Sequence, residues 1–190
     1  MVTKKTKAKE WFTLIAPKMF KEKEIGRTLV DDPEKLIGRR VTLNIMELTN
    51  DFDKYYVKIS FRVKRIEGKK AYTEFDSSEC LRDYISRMIL RRIRRIDTVQ
   101  DLTLKDGAQL RVKGLAVVSR RIKSSIQVKI RSKIKDFIKE YVEKMSLEDF
   151  VNDLIKDEMK YKILGEIRRT YPIRNFEIRK LERSYPQKSS

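Results

Sequence analysis

"YYVKISFRVKRIEGKKAYTEFD", residues 55–76, is the stretch on which the fold turns. Val57, Ile59, Phe61 and Val63 alternate with Lys58, Ser60, Arg62 and Lys64. In an extended chain successive side chains point to opposite faces, so this order puts an apolar side toward a core and a basic side toward solvent. A helix would mix the two sets; only the two-residue period of a strand separates them. Glu67-Gly68-Lys69 then turns the chain into "KAYTEFD", and the segments read as consecutive strands of an antiparallel meander.

Upstream, the same period runs through Val41, Leu43 and Ile45 and stops at the turn cluster "TNDFD", residues 49–53. Further back, "WFTLIAPKMF" predicts a short strand from Trp11 ended by Pro17, with loops at Gly26 and at "DDPE" around Pro33. Residues 1–10 carry Lys4, Lys5, Lys7 and Lys9 and little to bury, which predicts a flexible basic arm.

Downstream, Ser77 and Ser78 are placed to cap a helix beginning near Glu79 and running through "CLRDYISRMILRRIRRI". At helical spacing Leu81, Ile85, Met88, Ile89 and Ile93 share one face, while Arg87, Arg91, Arg94 and Arg95 gather opposite. Arg92 falls in the apolar arc, so either the helix ends near there or its aliphatic stem lies along the core edge and its guanidinium reaches out. "TVQDLTL" and "AQLRVKGLAVVSRRI" are strands joined at Asp106-Gly107, a strong hairpin signal. Beyond Ser125 the period changes: Ile126, Ile130, Ile134, Phe137, Ile138 and Tyr141 predict a helix to about Lys144. Ser146 and Asp149 have capping-box spacing for a shorter helix through Ile155. A third helix, "EMKYKILGEIRRTY", is closed by Pro172, and "IRNFEIRKLER" is a last strand before a tail, residues 184–190, that reads as disordered.

The fold class is therefore α+β: a small antiparallel β-barrel or curled sheet of about six strands with an inserted arginine-rich helix, then a C-terminal helical segment and a last strand. The expected division is a basic arm over 1–10, a barrel-like body over 11–123, and a packed helical segment with its strand over 124–183.

The 190 residues carry 46 lysines and arginines against 28 aspartates and glutamates, a formal charge of +18. Such an excess repels itself and favours a polyanionic partner. Charge networks of heat-loving proteins explain a high density of charge but not its one-sided sign. There is no histidine and only one cysteine, Cys80, so the usual nitrogen and sulfur metal sites, a disulfide within the chain and the commonest general base are all missing. The six glycines are scattered and form no phosphate-cradling loop, and acidic pairs such as Asp31-Asp32 suit caps and ion pairs better than catalysis. A non-enzymatic protein without cofactor follows. No apolar run is long enough to span a membrane, and the lysine-rich start lacks the middle of a secretory signal, which predicts a cytoplasmic protein.

Arginine grips two phosphate oxygens at once or stacks on a base, so the basic clusters rich in it point to nucleic acid. The candidate RNA-binding residues are Lys4, Lys5, Lys7, Lys9, Arg39, Arg40, Lys64, Arg65, Arg87, Arg91, Arg92, Arg94, Arg95, Arg120, Arg121, Lys123, Arg131, Lys133, Arg168 and Arg169. No zinc spacing, basic zipper, helix-turn-helix or single-strand reader module accompanies them, so phosphate contacts on several faces of a structured RNA are expected rather than sequence readout. Trp11 and Phe12 read first as core anchors, with stacking on an exposed base as the other reading.

Motifs along the whole chain carry a family resemblance. "KEWFTLIAPKMF" (9–20), "IGRTL" (25–29), "LKDGAQLRVKG" (104–114), "IRSKIKDFI" (130–138) and "YPIRNFEIRKLE" (171–182) resemble, in order, the archaeal and eukaryotic small-subunit ribosomal family called S-one in eukaryotic-type naming and S-three-Ae in the older one. The short termini resemble the archaeal version. This resemblance implies a barrel-like body with helices and a structural, non-enzymatic role on the platform of the small ribosomal subunit, near the mRNA exit side. The implied partners are small-subunit rRNA and neighbouring platform proteins, with mRNA and, in eukaryotes, initiation factors close by. The chain is implied to be a monomer within the ribosome.

Overall fold

The computed structural model describes residues 8–168 and 171–185. Lys4, Lys5, Lys7, Arg169 and the tail beyond Tyr185 lie outside the described residues. The chain forms two compact units, Met1–Asp76 and Ser77–Ser190. Among the described residues there are eight strands and five α-helices, an α+β architecture.

The first unit holds β1 (Glu10–Ile15), β2 (Glu24–Val30), β3 (Arg40–Asn44), α1 (Ile45–Thr49), β4 (Val57–Glu67) and the first part of β5 (Lys70–Cys80). Its strand order is β2-β1-β5-β4-β3, with β1 parallel to β5 and antiparallel to β2. The alternation in β4 appears as expected: Val57, Ile59, Phe61 and Val63 are buried. Phe12, Leu14, Val30, Leu36, Val63 and Ala71 form a core against which Ile25, Val41 and Ile66 pack. Burying each such aliphatic or aromatic side chain contributes about 1.5–3 kcal/mol. Two expectations change here. Gly26 lies inside β2 opposite Leu14, beside a register shift, rather than in a loop. Ile45 starts α1 instead of extending β3, because Asn44 caps the turn through its side chain and the Met46 N–H.

The second unit continues with the end of β5, then α2 (Arg82–Met88), β6 (Arg94–Thr103), β7 (Gln109–Val118), α3 (Ser124–Val142), α4 (Leu147–Lys156), α5 (Glu158–Arg168) and β8 (Ile173–Ser184). The antiparallel order is β5-β8-β7-β6. In neither unit do the strands close into a barrel among the described residues, so the curled-sheet alternative holds and the strand count is eight rather than six. α3 packs on β6 and α5 on β8. Ile130, Ile134, Ile138 and Val142 recur every fourth residue of α3 and are fully buried. Ser146 caps α4 as the sequence predicted: its Oγ accepts from the Asp149 N–H at 3.2 Å and donates to the Asp149 carboxylate at 2.6 Å.

β7 is the central rail. Gly107 takes a left-handed turn (φ 73°) that lets β6 fold back on β7. Gly114 serves a close approach, since a Cβ there would meet Thr98 Oγ1 at 2.6 Å and the Phe176 ring at 3.1 Å. On β8, the buried Glu177 is held by the Lys160 ammonium and by the Tyr84 hydroxyl at 3.0 Å, as a buried carboxylate requires.

The long arginine helix is the largest correction. α2 ends at Met88, and Arg94 and Arg95 begin β6. Ser77 and Ser78 do not cap it; they are buried in β5, paired with Glu182 and Leu181 of β8. At the other end of the chain Ser184 is still strand, paired with Gln109. Local apolar period favours the helix, but pairing along all ten residues of β6 satisfies the same backbone groups and buries Ile96, Thr98 and Leu102 against the sheet.

Candidate nucleic-acid interface

The register of the β6–β7 hairpin assembles the site. Arg94 pairs with Val118, so the segment before Arg94 and the segment after Val118 leave the same end of the sheet. One brings Arg91 and Arg92; the other brings Arg120, Arg121 and Lys123. β8 enters at that end too, with Ile173 opposite Val118 and the Ser119 N–H bonded to the Pro172 carbonyl at 3.2 Å. Arg168, at the end of α5, fixes the entry by donating to the carbonyls of Ile173 (3.2 Å) and Arg174 (2.7 Å).

Between α2 and β6 the chain turns with the Ile93 N–H on the Leu90 carbonyl and with Arg92 at φ 71°, a left-handed conformation uncommon for arginine. The turn moves Arg91, Arg92 and Arg94 off a helix face and onto the sheet end. All are exposed, as are Arg120, Arg121 and Lys123, and none of the six has an ion-pair partner among the described residues. Arg87, on the last turn of α2, is likewise exposed and without such a partner. Like charges gathered without carboxylates repel one another, and a polyphosphate relieves that repulsion.

Other predicted residues have different employment. Arg95 grips the Asp97 carboxylate at 2.7–3.0 Å. Arg131 donates to the Asp97 carbonyl at 3.1 Å, and Lys133 lies 5.7 Å over the Tyr171 ring. In the first unit Lys9 is exposed ahead of β1 and Arg39 donates to Thr28 Oγ1 at 2.6 Å. Arg40 and Arg62 stand opposite each other across β3 and β4, and the Asp76 carboxylate forms ion pairs with both, at 2.6 Å and 3.1 Å. Asp76 is almost fully buried, and it offsets a cross-strand repulsion that would otherwise weaken the sheet. Lys64 pairs with Glu74 at 3.5 Å, while Arg65 pairs with Glu67 at 3.1 Å and lies 4.6 Å over the Tyr72 ring. Apart from Lys9, these side chains brace the first unit, whereas the open arginine cluster belongs to the second.

Toward the Gly107 turn the same hairpin is neutralised. Arg111 meets Asp101 at 2.7 and 2.9 Å, and that hydrogen bonding holds the Asp101 carboxyl below the usual aspartate range. Burial pushes the Glu182 carboxyl up, but hydrogen bonds from Lys113 at 2.7 Å and Lys180 at 2.8 Å outweigh it and leave its pKa lowered.

Sequence reasoning missed the convergence of residues 91–94 with 120–123, although a signal was present. Equal counts outward from Asp106-Gly107 bring these two clusters together once the stretch before Asp97 is read as strand. It also read Trp11 as a core anchor, whereas Trp11 is exposed and Phe12 alone turns inward.

The motifs spread along the chain fall within one match: residues 1–185 match the Ribosomal S3Ae family. The chain belongs to that family. Relatives named small ribosomal subunit protein eS1 extend the Ribosomal S3Ae match. The chain is similar to the protein of Methanopyrus kandleri, 38% identical across 96% of this chain and 88% of the relative. It is similar to that of Archaeoglobus fulgidus, 37% identical across 92% and 83%, and to that of Sulfurisphaera tokodaii, 35% identical across 93% and 91%.

Proposed function

We propose that the chain is a structural constituent of the small ribosomal subunit that binds rRNA on the platform, near the mRNA exit side, and so supports translation in the cytoplasm without catalysing a reaction. The observation that carries this reading is the set of open cations, Arg91, Arg92, Arg94, Arg120, Arg121 and Lys123, at one end of the second unit's sheet in a Ribosomal S3Ae protein. Its relatives' shared name supports the subunit assignment.

In this reading the arginine end neutralises backbone phosphates, releases their counterions and leaves sequence unread. Lys4, Lys5, Lys7, Lys9 and Arg169 extend the contact along the RNA, and Arg168 adds to it beside β8. Neighbouring platform proteins share the site, with mRNA and initiation factors close by. An RNA-binding regulator acting off the ribosome is the rival. Sedimentation of cell extract through sucrose at moderate and high salt separates the two. Retention on small subunits and whole ribosomes in high salt is the expected result; release to the top of the gradient would make the protein a visiting factor.

A further inference from the structure

In β1 the core takes Phe12 and Leu14, so strand alternation turns Trp11 and Thr13 to the opposite face. Trp11 is 61% exposed and stands directly across from Leu29 of β2, itself 40% exposed. Thr13 lies between Arg27 of β2 and Lys70 of β5. Lys9 precedes the tryptophan by two residues, and neither Lys9 nor Lys70 has an ion-pair partner among the described residues. Among the described residues Arg27 is held only by Glu24, at 3.2 Å, with both side chains at least half exposed, a pairing that water already competes for and that a phosphate can replace.

An indole with one leucine at its shoulder, ringed by cations, is a poor seat for another protein. A specific protein interface needs roughly 800 Å² from each partner, and two apolar side chains do not approach that. Duplex RNA keeps its bases stacked inside. An unpaired nucleotide supplies a π-face for the indole and phosphates for Arg27, Lys70 and Lys9 in one molecule. A resident strand fits better than a passing one, because Trp11 and Leu29 would return to water each time a transient strand left.

We propose that Trp11 is a stacking platform for an unpaired base of an rRNA single strand lying across the β1–β2 face. This rests on the RNA-binding reading above, but it concerns a separate surface and a different kind of contact. Trp11 is the only tryptophan, so its fluorescence reports this position alone.

The full chain is titrated with a mixed-sequence single-stranded oligoribonucleotide of about ten nucleotides, a length within one domain's reach. A duplex of equal length and heparin serve as controls, and filter retention measures total binding. Saturating quenching by the single strand alone is expected. Trp11→Leu, which keeps the apolar surface and removes the indole, should weaken single-strand binding roughly five- to a hundredfold, with Trp11→Phe falling between. Duplex binding should not change. RNA retention without quenching, equal quenching by duplex or heparin, or unchanged affinity in Trp11→Leu overturns the stacking site while leaving the arginine end intact. Absence of any RNA retention overturns both. Ultraviolet crosslinking of small subunits carrying mRNA, and of the same subunits stripped of it, identifies the source. An rRNA nucleotide on the Trp11 peptide is expected; an adduct only with mRNA or with a protein overturns the assignment.

Discussion

At the turn end of the β6–β7 hairpin Arg111 reaches Asp101 at 2.7 Å and Lys113 reaches Glu182 at 2.7 Å; at the open end Arg91, Arg92, Arg94, Arg120 and Arg121 meet no carboxylate among the described residues. One pair of strands carries both arrangements. Where cations alternate with acids on paired strands, charge supports register and stays satisfied within the fold. Where cations collect beyond the last pair, charge opposes folding and is satisfied only from outside. The contrast separates basic residues that brace the protein from those left open, which the proposed function assigns to RNA.

The largest effect should come from reversing the open end. Arg91→Glu, Arg94→Glu and Arg121→Glu together should weaken association with small subunits on the order of a hundredfold or more. The melting temperature should stay level or rise, since repulsion is relieved. Equal losses in both measurements would make these arginines structural. Next comes a change to the rail between the two ends. Gly114→Ala forces a methyl against Thr98 Oγ1 and the Phe176 ring and should cost about 1–3 kcal/mol in thermal unfolding. RNA affinity measured below the transition should not move.

Single alanines sharpen the contrast further. Arg91→Ala should lower RNA affinity roughly threefold to tenfold, whereas Arg111→Ala should leave it within about twofold. A matched loss would erase the distinction between the ends.

The smallest effect is a pH dependence at the neutralised end. Glu182 ionises below its usual range when folded, so its ionised form contributes stability above the unfolded glutamate value, and this is lost as pH falls through the lowered pKa. Melting curves should therefore show wild type above Glu182→Gln at pH 7, with the gap closing in acid. A gap that widens in acid would reverse the assignment.

Much of this contrast was legible in the sequence, and its failures have physical causes. Alternation in residues 57–63 marked β4, Asp106-Gly107 marked the hairpin, and Ile130, Ile134 and Ile138 marked the buried stripe of α3. Each of these signals is local. The stretch from Leu81 to Ile96 misled because its apolar residues fit a helical period, and neither glycine nor proline announces the break at Leu90–Ile93. What ends the helix is non-local: Arg94 and Arg95 are drawn into pairing with Val118 and Val117. Ser77 and Ser78 failed as caps for the same reason, being committed to β8 about a hundred residues later. At Trp11 the two faces of β1 were both candidates for the core, and only the packing of Phe12 and Leu14 with Val30 and Val63 shows which one faces in. Composition pointed to a polyanionic partner, while register shows which of the sixteen described candidate cations stay open.

The most direct test of the open end is the salt dependence of rRNA binding by the full chain, wild type beside the Arg91→Glu, Arg94→Glu, Arg121→Glu variant. Each lost phosphate contact removes about 0.9 from the slope of log K against log salt, so the variant's slope should be shallower by roughly two to three. An unchanged slope would show that these arginines do not touch phosphate, and the assignment of the sheet end to RNA would fall.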